Sequence, residues 1–68
     1  MVDTQYLEDV IAKSGKKRKH LAEACGCGSY TLKRKISNLS DFTVNQVDIL
    51  CKELNIRASE RQKIFFKK

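Results

Sequence analysis

From Arg18 to Ser37 the chain reads RKHLAEACGCGSYTLKRKIS, and the spacing of three residues within it decides the fold. Ala22 is followed four positions later by Gly26 and six further on by Leu32. A small residue at 22 lets two helices cross closely. Gly26 takes the left-handed backbone of a tight turn at little steric cost, and Leu32 pins the second helix from beneath. Leu21, Cys25, Cys27 and Ile36 take the remaining inward positions. The second helix is then left to present Tyr30, Lys33, Arg34 and Ser37 outward, because positions i, i+3, i+4 and i+7 share one helix face while Leu32 and Ile36 occupy the other.

Working outward, the apolar spacing is helical throughout, with no proline, low-complexity segment or internal repeat. The expected architecture is all-α, a compact bundle of about five short helices spanning 1–68 as one domain. The first helix runs from about Thr4 to Ser14, with Asp3 or Thr4 as cap, Gly15 as stop, and Leu7, Val10, Ile11 and Ser14 as its inward stripe. The second spans about Lys17 to Cys25 and the third about Ser29 to Ser37, joined by Gly26-Cys27-Gly28. Gly28 and Ser29 both suit the cap of the third. Thr43 caps a fourth helix whose Val44, Val47, Leu50, Cys51 and Leu54 follow three-four spacing, and Asn55 closes it in a left-handed conformation. A fifth covers about Ala58 to Phe66. Phe42 anchors the turn into the fourth helix. Phe65 and Phe66 point about 100° apart on a helix, so one is expected to close the core against Leu7 or Leu54 and the other to meet a partner in a homodimer through this end, the alternative being that both rings fold back on the monomer.

With 68 residues, the chain buries only about 60% of the surface its unfolded form exposes, which leaves no room for a large internal active site. The net charge is +6, and its distribution matters more than its sum. Residues 1–12 carry −3, residues 13–35 carry +7 and residues 36–68 carry +2. The excess lies on and beside the 18–37 stretch, the footprint expected of a nucleic-acid partner. The acidic N-terminal MVDTQYLEDV has no signal-peptide core, and no run approaches the roughly 20 apolar residues of a membrane span. A cytoplasmic protein without membrane contact is expected. Cys25, Cys27 and Cys51 are odd in number and lack suitably spaced histidines, so they read as small core hydrophobes rather than a disulfide framework or metal site. No cofactor is expected.

Lys16, Lys17, Arg18 and Lys19 crowd the start of the second helix, where the helix dipole is already positive and each cation costs about 0.3–1 kcal/mol at low salt. Such an arrangement suits a phosphate strand, which meets the cations and the free backbone N–H groups together. Lys13 and Lys35 extend the same surface, Thr31 and Asn38 flank it as neutral phosphate donors, and His20 reads as an exposed imidazole. On the third helix a guanidinium at 34 suits the paired acceptors of guanine. Lys33 donates to the same acceptors, and Tyr30 offers its ring to a thymine methyl or its hydroxyl to phosphate.

From about Leu7 to Ile56 the chain resembles the lambda Cro and repressor class of helix-turn-helix proteins, most closely the short phage or prophage regulators. In these an amphipathic helix opened by a phrase like Asp41-Phe42-Thr43 follows the recognition helix. The resemblance rests on Ala22, Gly26 and Leu32, with the motif over about 17–37 and the recognition helix over about 29–37. It implies a sequence-specific double-stranded DNA-binding transcriptional regulator, a Cro-like repressor acting in a bacterial host at its nucleoid. Base contacts would come from Ser29, Tyr30, Lys33 and Arg34. Backbone contacts would come from Lys16, Lys17, Arg18, Lys19, Thr31, Ser37 and Asn38. Two positions depart from the pattern: Arg18 stands where Gln is usual, and Lys17 where a Ser or Thr cap is usual. The same fold also serves antitoxins and antirepressors, so a protein-interaction module is the alternative. Enzymatic function is not expected, since there is no Ser/His/Asp or Cys/His constellation and no phosphate-cradling glycine loop.

Overall fold

The computed structural model describes residues 1–67; Lys68, the end of the expected 1–68 unit, lies outside them. The described chain is all-helical: α1 (Thr4–Ser14), α2 (Arg18–Ala24), α3 (Ser29–Ile36), α4 (Val44–Glu53) and α5 (Ala58–Phe65). Its radius of gyration, 10.5 Å, matches the about 11 Å of a compact chain of this length.

Local chemistry starts and stops the helices. Asp3 caps α1, its carboxylate accepting from Tyr6 N at 3.2 Å, and Gly15 ends it at φ 74°. Thr43 opens α4 with a reciprocal capping box: Thr43 Oγ1 accepts from Gln46 N, and Gln46 Oε1 accepts from Thr43 N, both at 3.1 Å. Between Gly28 and Ser29, the cap of α3 falls to Gly28, which provides no side-chain bond. Three helices share one type of ending. Gly26, Asn38 and Asn55 each take a positive φ, and the residue after each donates its N–H five positions back. These bonds run from Cys27 to Ala22, Leu39 to Arg34 and Ile56 to Cys51, the Schellman pattern. Ser37, Phe66, Lys17 and Cys25, expected inside helices, are instead the flanking cap residues.

The core is formed by Leu7 and Ile11 of α1, Leu21 and Ala22 of α2, Leu32 and Ile36 of α3, Val47 and Leu50 of α4, and Ile64 and Phe65 of α5, with Leu54 and Cys25 at its margins. Phe42 is half-buried and meets Phe65 edge to face, centroids 5.6 Å apart at 89°. Two inward positions are corrected. Ser14 is exposed: in the last turn its hydroxyl donates to Ile11 O at 2.7 Å and accepts from Lys16 N at 3.1 Å, serving backbone groups the helix leaves unpaired. Val44 is 68% exposed, because it is the first residue of α4 and projects past the core that begins at Val47.

The N-terminal segment is tied to α3 and α5 in a way no local pattern announces. Val2 N donates to Asn38 Oδ1 at 2.8 Å, and Asn38 Nδ2 donates back to Val2 O at 2.9 Å. Asp3 N donates to Ile64 O at 2.6 Å and Lys67 N to Met1 O at 2.9 Å. Thr4 Oγ1 donates to Ile36 O at 2.7 Å. Val2 is thereby buried, and α3 is held at its C-terminal end from outside its own sequence.

Candidate nucleic-acid interface

Helix α3 has two unlike faces. Leu32 and Ile36 are 1% and 2% exposed, which fixes the rotation of the helix about its axis. Ser29, Tyr30, Lys33, Arg34 and Ser37 are then all exposed on the far side. Tyr30 is 72% exposed and carries the Arg34 guanidinium over its ring, Cζ 5.9 Å from the centroid. Arg34 Nη2 also donates to Leu39 O, at 3.5 Å. Thr31 is exposed beside this face. The packing of α2 against α3, the most extensive between any two helices, sets the angle at which the face is presented. Ala22 sits fully buried at the crossing, and Gly26 turns the chain with open space where a Cβ would lie.

The cations before and along α2 divide into two sets. Arg18 Nη2 lies 2.6 Å from Glu8 Oε2, and the Glu8 carboxylate raises the Arg18 pKa still further, principally through this hydrogen bond. Lys16 Nζ lies 3.8 Å from Glu53 Oε1, and His20 Nε2 lies 2.6 Å from the same oxygen. Lys17 and Lys19 have no ion-pair partner among the described residues and stand exposed. The four cations crowded at this end of α2 are therefore two free lysines alternating with two cations that already face carboxylates. His20 is exposed, as expected, though in contact with Glu53. Glu8 Oε1 is shielded and without a hydrogen-bond partner, so this counter-charge is held at a cost to itself.

Two further expectations are corrected. Asn38 is engaged: its Oδ1 accepts from Val2 N, and its Nδ2 donates to Val2 O and Thr4 Oγ1, so both amide hydrogens that would meet a phosphate already have acceptors. Lys35 turns away to donate to Asp41 O at 2.7 Å, with its ammonium 5.9 Å from the Phe42 ring centroid, and so braces the α3–α4 loop. The roles of Glu8 and Glu53 were not legible in sequence. Each meets a cation ten or more positions away, beyond any intrahelical spacing.

Cys25 is buried and Cys27 and Cys51 half-buried, all as free thiols. Burial pushes the Cys25 and Cys51 thiols up, away from the reactive thiolate form. Among the described residues no group of His, Cys, Asp or Glu side chains is arranged to hold a metal, and no helix is long and apolar enough to cross a membrane. At the far end, Asp3, Tyr6, Gln62, Lys63, Phe66 and Lys67 line an open groove of about 480 Å³. Of the two adjacent aromatics, Phe65 is 4% and Phe66 46% exposed. Only Phe66 is free to meet a partner. No known protein family, curated protein or solved structure matches this chain.

Proposed function

We propose that this chain is a sequence-specific regulator of transcription that binds double-stranded DNA. In this reading α2, its turn and α3 form a helix-turn-helix of the lambda Cro and repressor kind, with α3 as recognition helix in the major groove. One observation carries the reading: Leu32 and Ile36 lock one side of α3 into the core while Ser29, Tyr30, Lys33 and Arg34 are all exposed on the other. These four contact base edges. Lys17 and Lys19 hold phosphates, joined by Thr31 and Ser37. Lys16 and Arg18 add to the phosphate contacts when the DNA strand displaces Glu53 and Glu8. A repressor of phage or prophage type, at work in the cytoplasm and nucleoid of a bacterial host, is the role the resemblance supports, and a homodimer reading two half-sites is its natural assembly.

Fluorescence anisotropy of a labelled random duplex, repeated across salt concentrations, tests the reading. Binding that weakens with a log–log slope of about −4 to −8 is expected for a handful of phosphate contacts. On a selected operator, Arg34→Ala loses about 1–3 kcal/mol and relaxes specificity, whereas Lys17→Ala weakens all sequences alike and flattens the slope by about one. Absence of binding at low salt overturns the proposal. The exposed Phe66 would then favour the second reading, a protein-interaction module of antitoxin or antirepressor type.

A further inference from the structure

We infer that Tyr30 and Arg34 act together as one reader of a guanine with a thymine within two base pairs of it, a specificity that rests on the DNA-binding reading above. Both side chains leave the same face of α3, one helical turn apart, and they stand at cation–π distance before any DNA is present. The Arg34 guanidinium lies over the Tyr30 ring, and one of its N–H groups is engaged by Leu39 O. A long flexible side chain is thereby held from both sides. Its planar fork loses less freedom on forming paired bonds than an untethered arginine would.

The chemistry of the fork selects the base. A guanidinium has donors only. On the major-groove edges, guanine alone offers two adjacent acceptors, N7 and O6; adenine sets a donor beside its N7, cytosine presents a donor, and thymine a single acceptor. The ring selects the neighbour. Tyr30 is 72% exposed. One face of its ring carries the cation, which leaves the other face and the ring edge as apolar surface beside the hydroxyl. The C5-methyl of thymine is the one apolar group that the four bases present in the major groove. The spacing limits how far apart the two bases can be. Ring centroid and guanidinium carbon are 5.9 Å apart, which lies between one and two steps of about 3.4 Å along a DNA strand.

The experiment selects duplexes from a random library with the full chain, then measures anisotropy on the selected duplex with single-atom changes. Each guanine is replaced in turn by 7-deazaguanine, which removes only N7, and each thymine by deoxyuridine, which removes only the methyl. One deazaguanine is expected to weaken binding about tenfold, and Arg34→Ala is expected to be indifferent to it. One deoxyuridine within two base pairs is expected to weaken binding about fourfold, the worth of one buried methyl-sized group. Tyr30→Ala should be indifferent to that change and Tyr30→Phe still sensitive. Because the two side chains act together, Tyr30→Ala should also shrink the deazaguanine penalty. Selected duplexes that bind tightly but show no guanine tied to Arg34, or no methyl tied to Tyr30, overturn the inference and leave the DNA-binding reading standing. Dependence on the tyrosine hydroxyl, seen as loss of affinity in Tyr30→Phe with no methyl effect, assigns Tyr30 to a phosphate and overturns it equally. Failure to enrich any duplex removes the DNA-binding reading and the inference with it.

Discussion

A single side chain, Asn38, does three things at one point. It holds Val2 by two hydrogen bonds, reaches Thr4, and takes the left-handed φ of 64° that ends α3. Asparagine tolerates this backbone because its short polar side chain bonds locally. The two contributions separate by substitution. Asn38→Gly keeps the backbone and loses the bonds, and is expected to cost about 1–2 kcal/mol. Asn38→Ala adds the left-handed penalty of about 1–2 kcal/mol. Urea unfolding of both variants measures the difference. If alanine proves no worse than glycine, the turn does not depend on residue choice at 38. From sequence alone this residue is a polar group flanking a basic face, which suits a phosphate donor. Its bonding partners lie 34 to 36 positions away in the chain, and no local pattern reports them.

Among the elements, helix boundaries were legible because they depend on a few neighbouring atoms. Asp3, Gly15, Gly26, Thr43 and Asn55 cap or end helices as their chemistry predicts. Faces were less secure at helix ends, where Ser14 and Val44 fit the apolar stripe by number but lie beyond the core by position. The α2–α3 turn yields a paired prediction. Gly26 has φ 74° with nothing within 4 Å of an added Cβ, so Gly26→Ala costs about 1–2 kcal/mol from backbone conformation alone. Gly28 has an ordinary φ of −82° and caps α3 without a side chain, also with open space around it. Gly28→Ser supplies the missing acceptor and restricts the unfolded chain, and is expected to stabilise by about 0.5–1 kcal/mol. Thermal unfolding of the two variants should move in opposite directions; equal shifts would mean that the two glycines serve the same purpose.

For the whole molecule, acidic side chains on α1 and α4 face the cations around the start of α2. Exposed pairs of this kind contribute at most about 1 kcal/mol to stability, so their larger effect is on the charge offered to an anionic partner. Glu8→Gln should leave the unfolding midpoint nearly unchanged and tighten DNA binding by about two- to fivefold, because the strand no longer has to displace a carboxylate from Arg18. Unchanged affinity would mean that Arg18 never reaches phosphate. At the opposite end, Phe66 stands at the rim of a groove that carries both Asp3 and Lys63, the apolar group and the two opposite charges that a two-fold contact between copies would need. Sedimentation equilibrium at micromolar concentration is expected to show self-association that Phe66→Ala weakens. A monomer unaffected by the substitution counts against dimerisation through this end.

Short-range chemistry makes five helices legible in the sequence, with most of their caps, the crossing at Ala22 and Gly26, and the division of α3 into a core face and a basic face. These follow from periods of three and four residues and from the backbone preferences of Gly, Asn, Asp and Thr, which act within one turn of chain. Which of the basic and polar side chains are engaged depends instead on how the helices pack. Arg18, Lys16, Lys35 and Asn38 are each engaged by groups elsewhere in the chain, and Lys17, Lys19, Lys33 and the Tyr30–Arg34 pair are left facing outward. The reason is that a charge or an amide takes whichever partner packing brings within about 3 Å. Packing brings together segments whose separation along the chain carries no periodic signal.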